Sequence, residues 1–224
     1  SPHNPTGKVF SRAELELVAE LCREHDAIAF TDEIYEHLVY EGEHVPLATL
    51  PGMAARTVAV NSLSKTYSVT GWRVGWVIAP PALASAIRKV HDFLTVGAAA
   101  PLQAAGAVAL QLPDRYYTAL LEGYRERRAV LLGALEAAGF VVYEPAGAYY
   151  AMTDIARLAR DGEDDTAFCR RLAADPGVAA VPGSSFYADP ARGRTKVRFA
   201  FPKQLATLDA AASRLARLTS GVAG

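Results

Sequence analysis

Residues 62–76 read SLSKTYSVTGWRVGW, placing one lysine, Lys65, among hydroxyl side chains with two glycines and an arginine, Arg73, close behind. The run that leads into it, TVAVNS from Thr57 to Ser62, is a short apolar stretch that turns polar at its end. AIAFTD, Ala27 to Asp32, has the same form and follows a helical segment. Short apolar strands alternating with helices indicate an α/β fold with a mostly parallel sheet covered on both faces. Ligands of open α/β sheets bind outside the carboxyl ends of the strands. Both runs become polar at that end, so Lys65 and Asp32 stand where a ligand is expected.

Upstream, Ser11 and Glu14 have the spacing of a capping box, and a helix is expected from there to about His25 with Leu15, Val18, Leu21 and Cys22 on one face. Downstream, Arg73 to Pro80 reads as a third strand and Pro81 to about Thr95 as a helix. The run from Phe93 to Pro113 carries no charge and has the length of a membrane span. It is rich in alanine and broken by Gly97, Pro101, Gln103 and Gln111, which favours a buried helix packed through small residues. A long helix follows from Asp114 to Gly139, with a stripe of Tyr117, Leu120, Leu121 and Tyr124. Beyond it, strands in FVVYE, AYYAMTDI, VAAVPG and KVRFAF mix with helices over 165–174 and 203–218. This pattern divides the chain into an α/β domain, 1–113, and a smaller α+β domain, 114–224.

The chain has 224 residues, 51% of them hydrophobic, and a formal net charge of -1. That balance lacks the clustered cations on which nucleic-acid and membrane-surface binding depend, so neither partner is expected. The two cysteines, Cys22 and Cys169, have no metal-ligand spacing and read as buried free thiols in a reducing compartment, which implies the cytoplasm. The opening SPHNPTG has neither an initiator Met nor a signal peptide, and reads as the start of a fragment.

A lone loop lysine is ordinarily solvated, and only its company argues otherwise. Arg73 provides a forked cation suited to phosphate, and Ser62 and Ser64 provide hydroxyl donors. A neighbouring cation and partial burial both favour the neutral, nucleophilic amine, so Schiff-base chemistry on a phosphorylated cofactor becomes a candidate. Asp32 reads either as a helix cap or as an acceptor facing a cationic ring nitrogen, with Tyr35 on the same side of the following turn. At about 4 Å and an effective dielectric of about 20, such a charge pair contributes about 4 kcal/mol before desolvation. Glu33 with His37, and Asp32 with Glu36, have i,i+4 metal-ligand spacing. No second His or Cys cluster completes a site, so no metal is expected. Asn4 in NPTG lies in a turn signal and offers both donor and acceptor. Arg198, between apolar neighbours in KVRFAF, needs a carboxylate or an anionic ligand. The GWRVG segment lacks the GxGxxG spacing of a dinucleotide site.

Taken in order, NPTG, Asp32-x-x-Tyr35, Ser62-x-Ser64-Lys65, Arg73 and Arg198 resemble the fold-type I pyridoxal 5'-phosphate (PLP) enzymes, specifically the class I/II aminotransferases. PHNPTGKVFSRAELE, SLSKTYSVTGWRVGW, VPGSSFY and VRFAF look most similar to the branch of kynurenine, glutamine-K and methionine aminotransferases. The resemblance implies that Lys65 carries PLP as a Schiff base and later moves the substrate proton. It implies that Asp32 holds the ring-nitrogen proton, that Tyr35 and Asn4 bond the ring oxygen, that Ser62, Ser64 and Arg73 bind the phosphate, and that Arg198 clamps the substrate α-carboxylate. Family members carry a phosphate-cupping helix and a ring-stacking aromatic upstream of the matched segment. The resemblance therefore implies the C-terminal part of a PLP-dependent transferase fold, a homodimer at full length, acting on an amino acid and a 2-oxo acid. A carbon-sulfur β-lyase, the effector domain of a PLP-fold transcription regulator, and a cofactor-free α/β binding domain are the alternatives.

Overall fold

The computed structural model describes residues 1–220, which pack into two compact units. The first comprises residues 1–2 and 9–120, and the second residues 3–8 and the chain from 121 onward.

The first unit begins with helix α1, Arg12–Glu24, whose capping box is complete: Ser11 Oγ accepts from Glu14 N and the Glu14 carboxylate accepts from Ser11 N. Its buried face is Leu15 and Ala19, packed with Leu47, Leu50 and Met53. Val18 and Leu21, expected on that face, are exposed, because the i,i+4 pair Leu15 and Ala19 takes the contact. Strands β1, Ala29–Asp32, and β2, Thr57–Ser62, run parallel with Asp32 beside Val60. Strand β3, Gly75–Ile78, returns antiparallel to β2, which sets Gly75 opposite Ser62.

Helices α2, Pro81–Leu94, and α3, Ala100–Ala109, follow. The expectation of a buried helix through the uncharged run holds at one position only. Gly106 is buried, and an added Cβ there would lie 2.6 Å from Leu63 Cδ1, whereas Phe93, Leu94, Val96 and Val108 are exposed. Among the described residues no helix is long and apolar enough to cross a membrane. Helix α4, Asp114–Ala137, passes from the first unit into the second.

In the second unit, strands β4, Val141–Tyr143, and β5, Tyr150–Asp154, precede helix α5, Asp165–Ala174. Strands β6, Val181–Pro182, and β7, Lys196–Ala200, complete an antiparallel sheet of order β4-β5-β7-β6. Helices α6, Leu205–Leu215, and α7, Arg217–Ser220, close the described chain. Phe140 meets Phe168 and Phe199 edge to face, at ring separations of 5.9 and 5.4 Å. With Leu172, Val197 and Phe201 these rings are buried and form the core under the sheet.

Candidate active site

Strand β2 ends in Ser62, and the chain turns over 64–67, which places Lys65 in a half-buried turn rather than on an exposed helix face. The turn is held from within: Ser62 Oγ accepts from Ser64 N at 3.2 Å, and Thr70 Oγ1 donates to Ser64 O at 3.0 Å. Tyr116 Oη, on α4, donates to Thr66 O at 2.8 Å, and the hydroxyls of Tyr67 and Tyr117 are 2.8 Å apart. Burial and these neighbours push the Tyr67 phenol well above its ordinary pKa, so it stays protonated.

Arg73 reaches the same strand end through the β2–β3 ladder, since it lies two residues ahead of Gly75, the partner of Ser62. Its backbone is left-handed, with φ of 55°, and Ser68 in the same segment has φ of 56°. Non-glycine residues held there carry strain that concentrates at functional sites. Gly75 is required by close approach: a Cβ there would lie 2.7 Å from Asn61 O and 2.9 Å from Ser62 Cβ. Gly71 has open space around it.

Ser62, Ser64 and Arg73 line one cavity of about 510 Å³, to which α2 contributes Arg88 and His91. A second cavity, of about 730 Å³, shares Arg73 and His91 and extends along α3 to Leu110. Asp32, Tyr35 and Lys65 lie outside the lining of both.

Asp32 ends β1 beside that site. The residues after it form a turn over 34–37 and not a helix, so the helix-cap reading is corrected: Asp32 Oδ1 accepts from Ile34 N at 3.2 Å within a turn. Tyr35 is buried. The ligand-capable atoms of Glu33, Glu36 and His44 lie within 4.8 Å of one another, brought together by folding rather than by i,i+4 spacing. These groups are already committed: Glu33 bonds Thr31 Oγ1 at 2.8 Å and His44 Nε2 at 3.2 Å, and Glu36 accepts from Asn61.

The second unit carries Asn4 and Arg198. Val197 and Phe199 face the core, and period-two alternation turns Arg198 to the opposite face, where it is half-buried. Its guanidinium lies 4.1 Å from the Tyr150 ring centre and 4.7 Å from that of Phe186. Nη1 donates to Asn4 Oδ1 at 2.7 Å, while the buried Nε has no partner. No carboxylate among the described residues pairs with it.

Sequence reasoning missed Asn61, Arg88, His91, Tyr150 and Phe186. Asn61 carried a usable signal, a polar residue at the carboxyl end of an apolar strand; the others are assembled by packing alone.

Residues 1–215 match the aminotransferase class I and II family, and the chain belongs to it. Its members depend on PLP. The chain is 40% identical to a probable N-succinyldiaminopimelate aminotransferase of Mycobacterium tuberculosis, a match covering 97% of this chain and 57% of that protein. It is 36% identical to human kynurenine–oxoglutarate transaminase 1, covering 96% and 56%. The solved structure of YbdL from Escherichia coli, described as having a methionine aminotransferase function, superposes with a TM-score of 0.90 at 36% identity over 97% of this chain and 56% of that one. The chain thus spans about half the length of the curated relatives it matches.

Proposed function

We propose that the chain is the C-terminal portion of a PLP-dependent aminotransferase that moves an amino group between an amino acid and a 2-oxo acid. The observation that carries this reading is the placement of complementary groups at neighbouring strand ends. Ser62, Ser64 and Arg73 line one cavity at the end of β2, and Asp32 ends the parallel neighbour β1. Hydroxyls and a guanidinium suit a phosphate, and a carboxylate suits a protonated ring nitrogen, so the donor set fits PLP.

When bound, PLP supplies an electron sink at the amino acid's α-carbon. Ser62, Ser64 and Arg73 bind the phosphate oxygens. Asp32 would accept a hydrogen bond from the protonated ring nitrogen and keep it protonated, and Tyr35 and Asn4 would bond the ring oxygen. Lys65 Nζ would hold the cofactor covalently and would supply the amine that moves a proton to and from the substrate's α-carbon. Arg198 takes the α-carboxylate, for which its unpaired Nε and its freedom from protein carboxylates leave capacity. The aromatic walls around Arg198 favour neutral, aromatic or sulfur-bearing substrates, in keeping with relatives named for kynurenine and methionine.

We assign residues 1–113 to the large PLP-binding domain and 114–224 to the small domain, and the full-length protein to a cytoplasmic homodimer. Borohydride reduction with PLP followed by peptide mapping tests the reading. Lys65 is expected to carry the label and Lys65→Ala to carry none; a label elsewhere, or PLP bound without a label, rejects it.

A further inference from the structure

Asn61 stands one residue before Ser62, and its side chain makes three hydrogen bonds to the two strand ends. Its Oδ1 accepts from Ser62 N at 2.7 Å. Its Nδ2 donates to Glu33 O at 3.2 Å and to the Glu36 carboxylate. Ser62 begins the hydroxyl-bearing turn, and Glu33 and Glu36 belong to the turn that carries Asp32 and Tyr35. One side chain therefore ties together the two segments whose spacing sets the distance from phosphate donors to ring-nitrogen acceptor.

The segment after β1 is held from behind as well. Glu33 is buried, its backbone N donates to Val60 O at 2.9 Å, and its carboxylate takes Thr31 Oγ1 and His44 Nε2. On the far side, the His37 ring lies 4.4 Å from that of Tyr117, whose hydroxyl bonds Tyr67. Tyr116, next along α4, holds Thr66 O. The Asp32 and Lys65 turns are thus joined twice, directly through Asn61 and around the back through His37, Tyr117 and Tyr67. Chains of mutually hydrogen-bonded polar groups hold their parts in one arrangement.

We propose that Asn61 is a positioning residue, which sets the separation of the Ser62–Lys65 turn from the Asp32–Tyr35 turn through its paired bonds to Glu33 and Glu36. The proposal rests on the PLP reading for its purpose but not for its geometry. A side chain serving only its own strand would affect residues 61–64; a spacer must affect the turn on the neighbouring strand too. The two halves of the amide separate the cases. Asn61→Asp keeps the acceptor for Ser62 N, removes both donors, and sets a carboxylate against Glu36. Glu36→Gln keeps an acceptor for Asn61, whereas Glu36→Ala does not.

The test has two arms on the purified full-length protein, with Asn61→Asp, Asn61→Ala, Glu36→Gln and Glu36→Ala beside wild type. In native-state hydrogen exchange without PLP, both Asn61 variants and Glu36→Ala are expected to speed exchange about tenfold in peptides covering 33–38 and 62–68 together, while Glu36→Gln stays near wild type. In equilibrium dialysis, the same three variants are expected to weaken PLP binding about tenfold, with Glu36→Gln again spared. Exchange changes confined to 62–68, or PLP affinity unchanged in Asn61→Asp, overturns the proposal. Wild type failing to bind PLP overturns the proposed function, and the exchange arm then still decides whether Asn61 couples the turns.

Discussion

Arg198 Nη1 donates to Asn4 Oδ1 at 2.7 Å, joining positions 194 residues apart in the chain. The bond fixes one edge of a guanidinium held between Tyr150 and Phe186 and leaves its buried Nε unpaired. A planar cation so held has its orientation set by the fold before any ligand arrives.

Arg198→Lys should therefore cost more than a conservative exchange suggests, because an ammonium neither stacks between the rings nor grips two oxygens at once. Losing a charge-assisted bond of about 2 kcal/mol corresponds to roughly a thirtyfold rise in KM for the amino acid. Steady-state kinetics would show it in KM with a smaller change in kcat, the pattern of lost uniform binding. An unchanged KM would remove Arg198 from the carboxylate site.

Gly75→Ala should destabilise the first unit by about 1–3 kcal/mol, since the new methyl meets backbone at Asn61 that cannot swing aside. Gly71→Ala, with nothing within 4 Å of its added Cβ, should change stability by about 0.5 kcal/mol or less. Urea unfolding of the pair makes the comparison, and equal midpoints would contradict it.

The Glu163 carboxylate accepts Arg171 Nε at 2.7 Å and Nη2 at 2.6 Å, and this guanidinium holds its pKa below the ordinary range against the opposing effect of burial. A depressed carboxylate stabilises the folded state above its unfolded pKa, about 4.3, and that contribution is lost as pH falls through the folded value. Wild type should thus lose stability progressively below about pH 5, and Glu163→Gln should flatten that acid limb. At pH 7 the substitution should cost about 1–3 kcal/mol through the weakened bonds. Thermal melts from pH 3 to 7 read both effects, and parallel curves for the two proteins would count against the pairing.

Burial pushes the Cys169 thiol up to about 12, with the Asp165 charge adding to the shift. Thiolate, not thiol, is the reacting form. Iodoacetamide at pH 8 should leave Cys169 unmodified in the folded chain and label it once urea unfolds the protein. Mass spectrometry of the peptides decides; rapid folded-state labelling of Cys169 would refute its burial.

The alternation of helix and strand was legible in the sequence because each strand is a short apolar run and each long helix shows its stripe. Strand β2 and helix α5 fall at the residues expected of them. The burial of α3 was not legible, since an uncharged alanine-rich run has no contrast of faces from which to tell a covered helix from an exposed one. The eight candidate residues stood out because each is a polar group in an apolar or glycine-marked setting. What surrounds them did not. Nothing in the sequence pairs Tyr150 and Phe186 with Arg198; the β5–β7 register and the turn at 183–186 set them against it. The turn after Asp32 was misread as helical because Asp-Glu-Ile-Tyr-Glu-His has helix-compatible residues, while Asn61 Nδ2 donating to Glu33 O and Glu33 N donating to Val60 O hold it as an irregular turn.

Gly7 has φ of 69°, and a Cβ built on it would collide with Pro145 Cβ and lie 2.9 Å from Gly147 O. Its own carbonyl accepts from Gly147 N at 2.8 Å, so the loop that delivers Asn4 to Arg198 is seated directly on residues 145–147. A side chain can enter at position 7 only if both the backbone sign and the neighbour at 145 change with it. Positions 7 and 145 are thus coupled: the seat that holds the Asn4 loop against Arg198 exists only while position 7 carries no side chain.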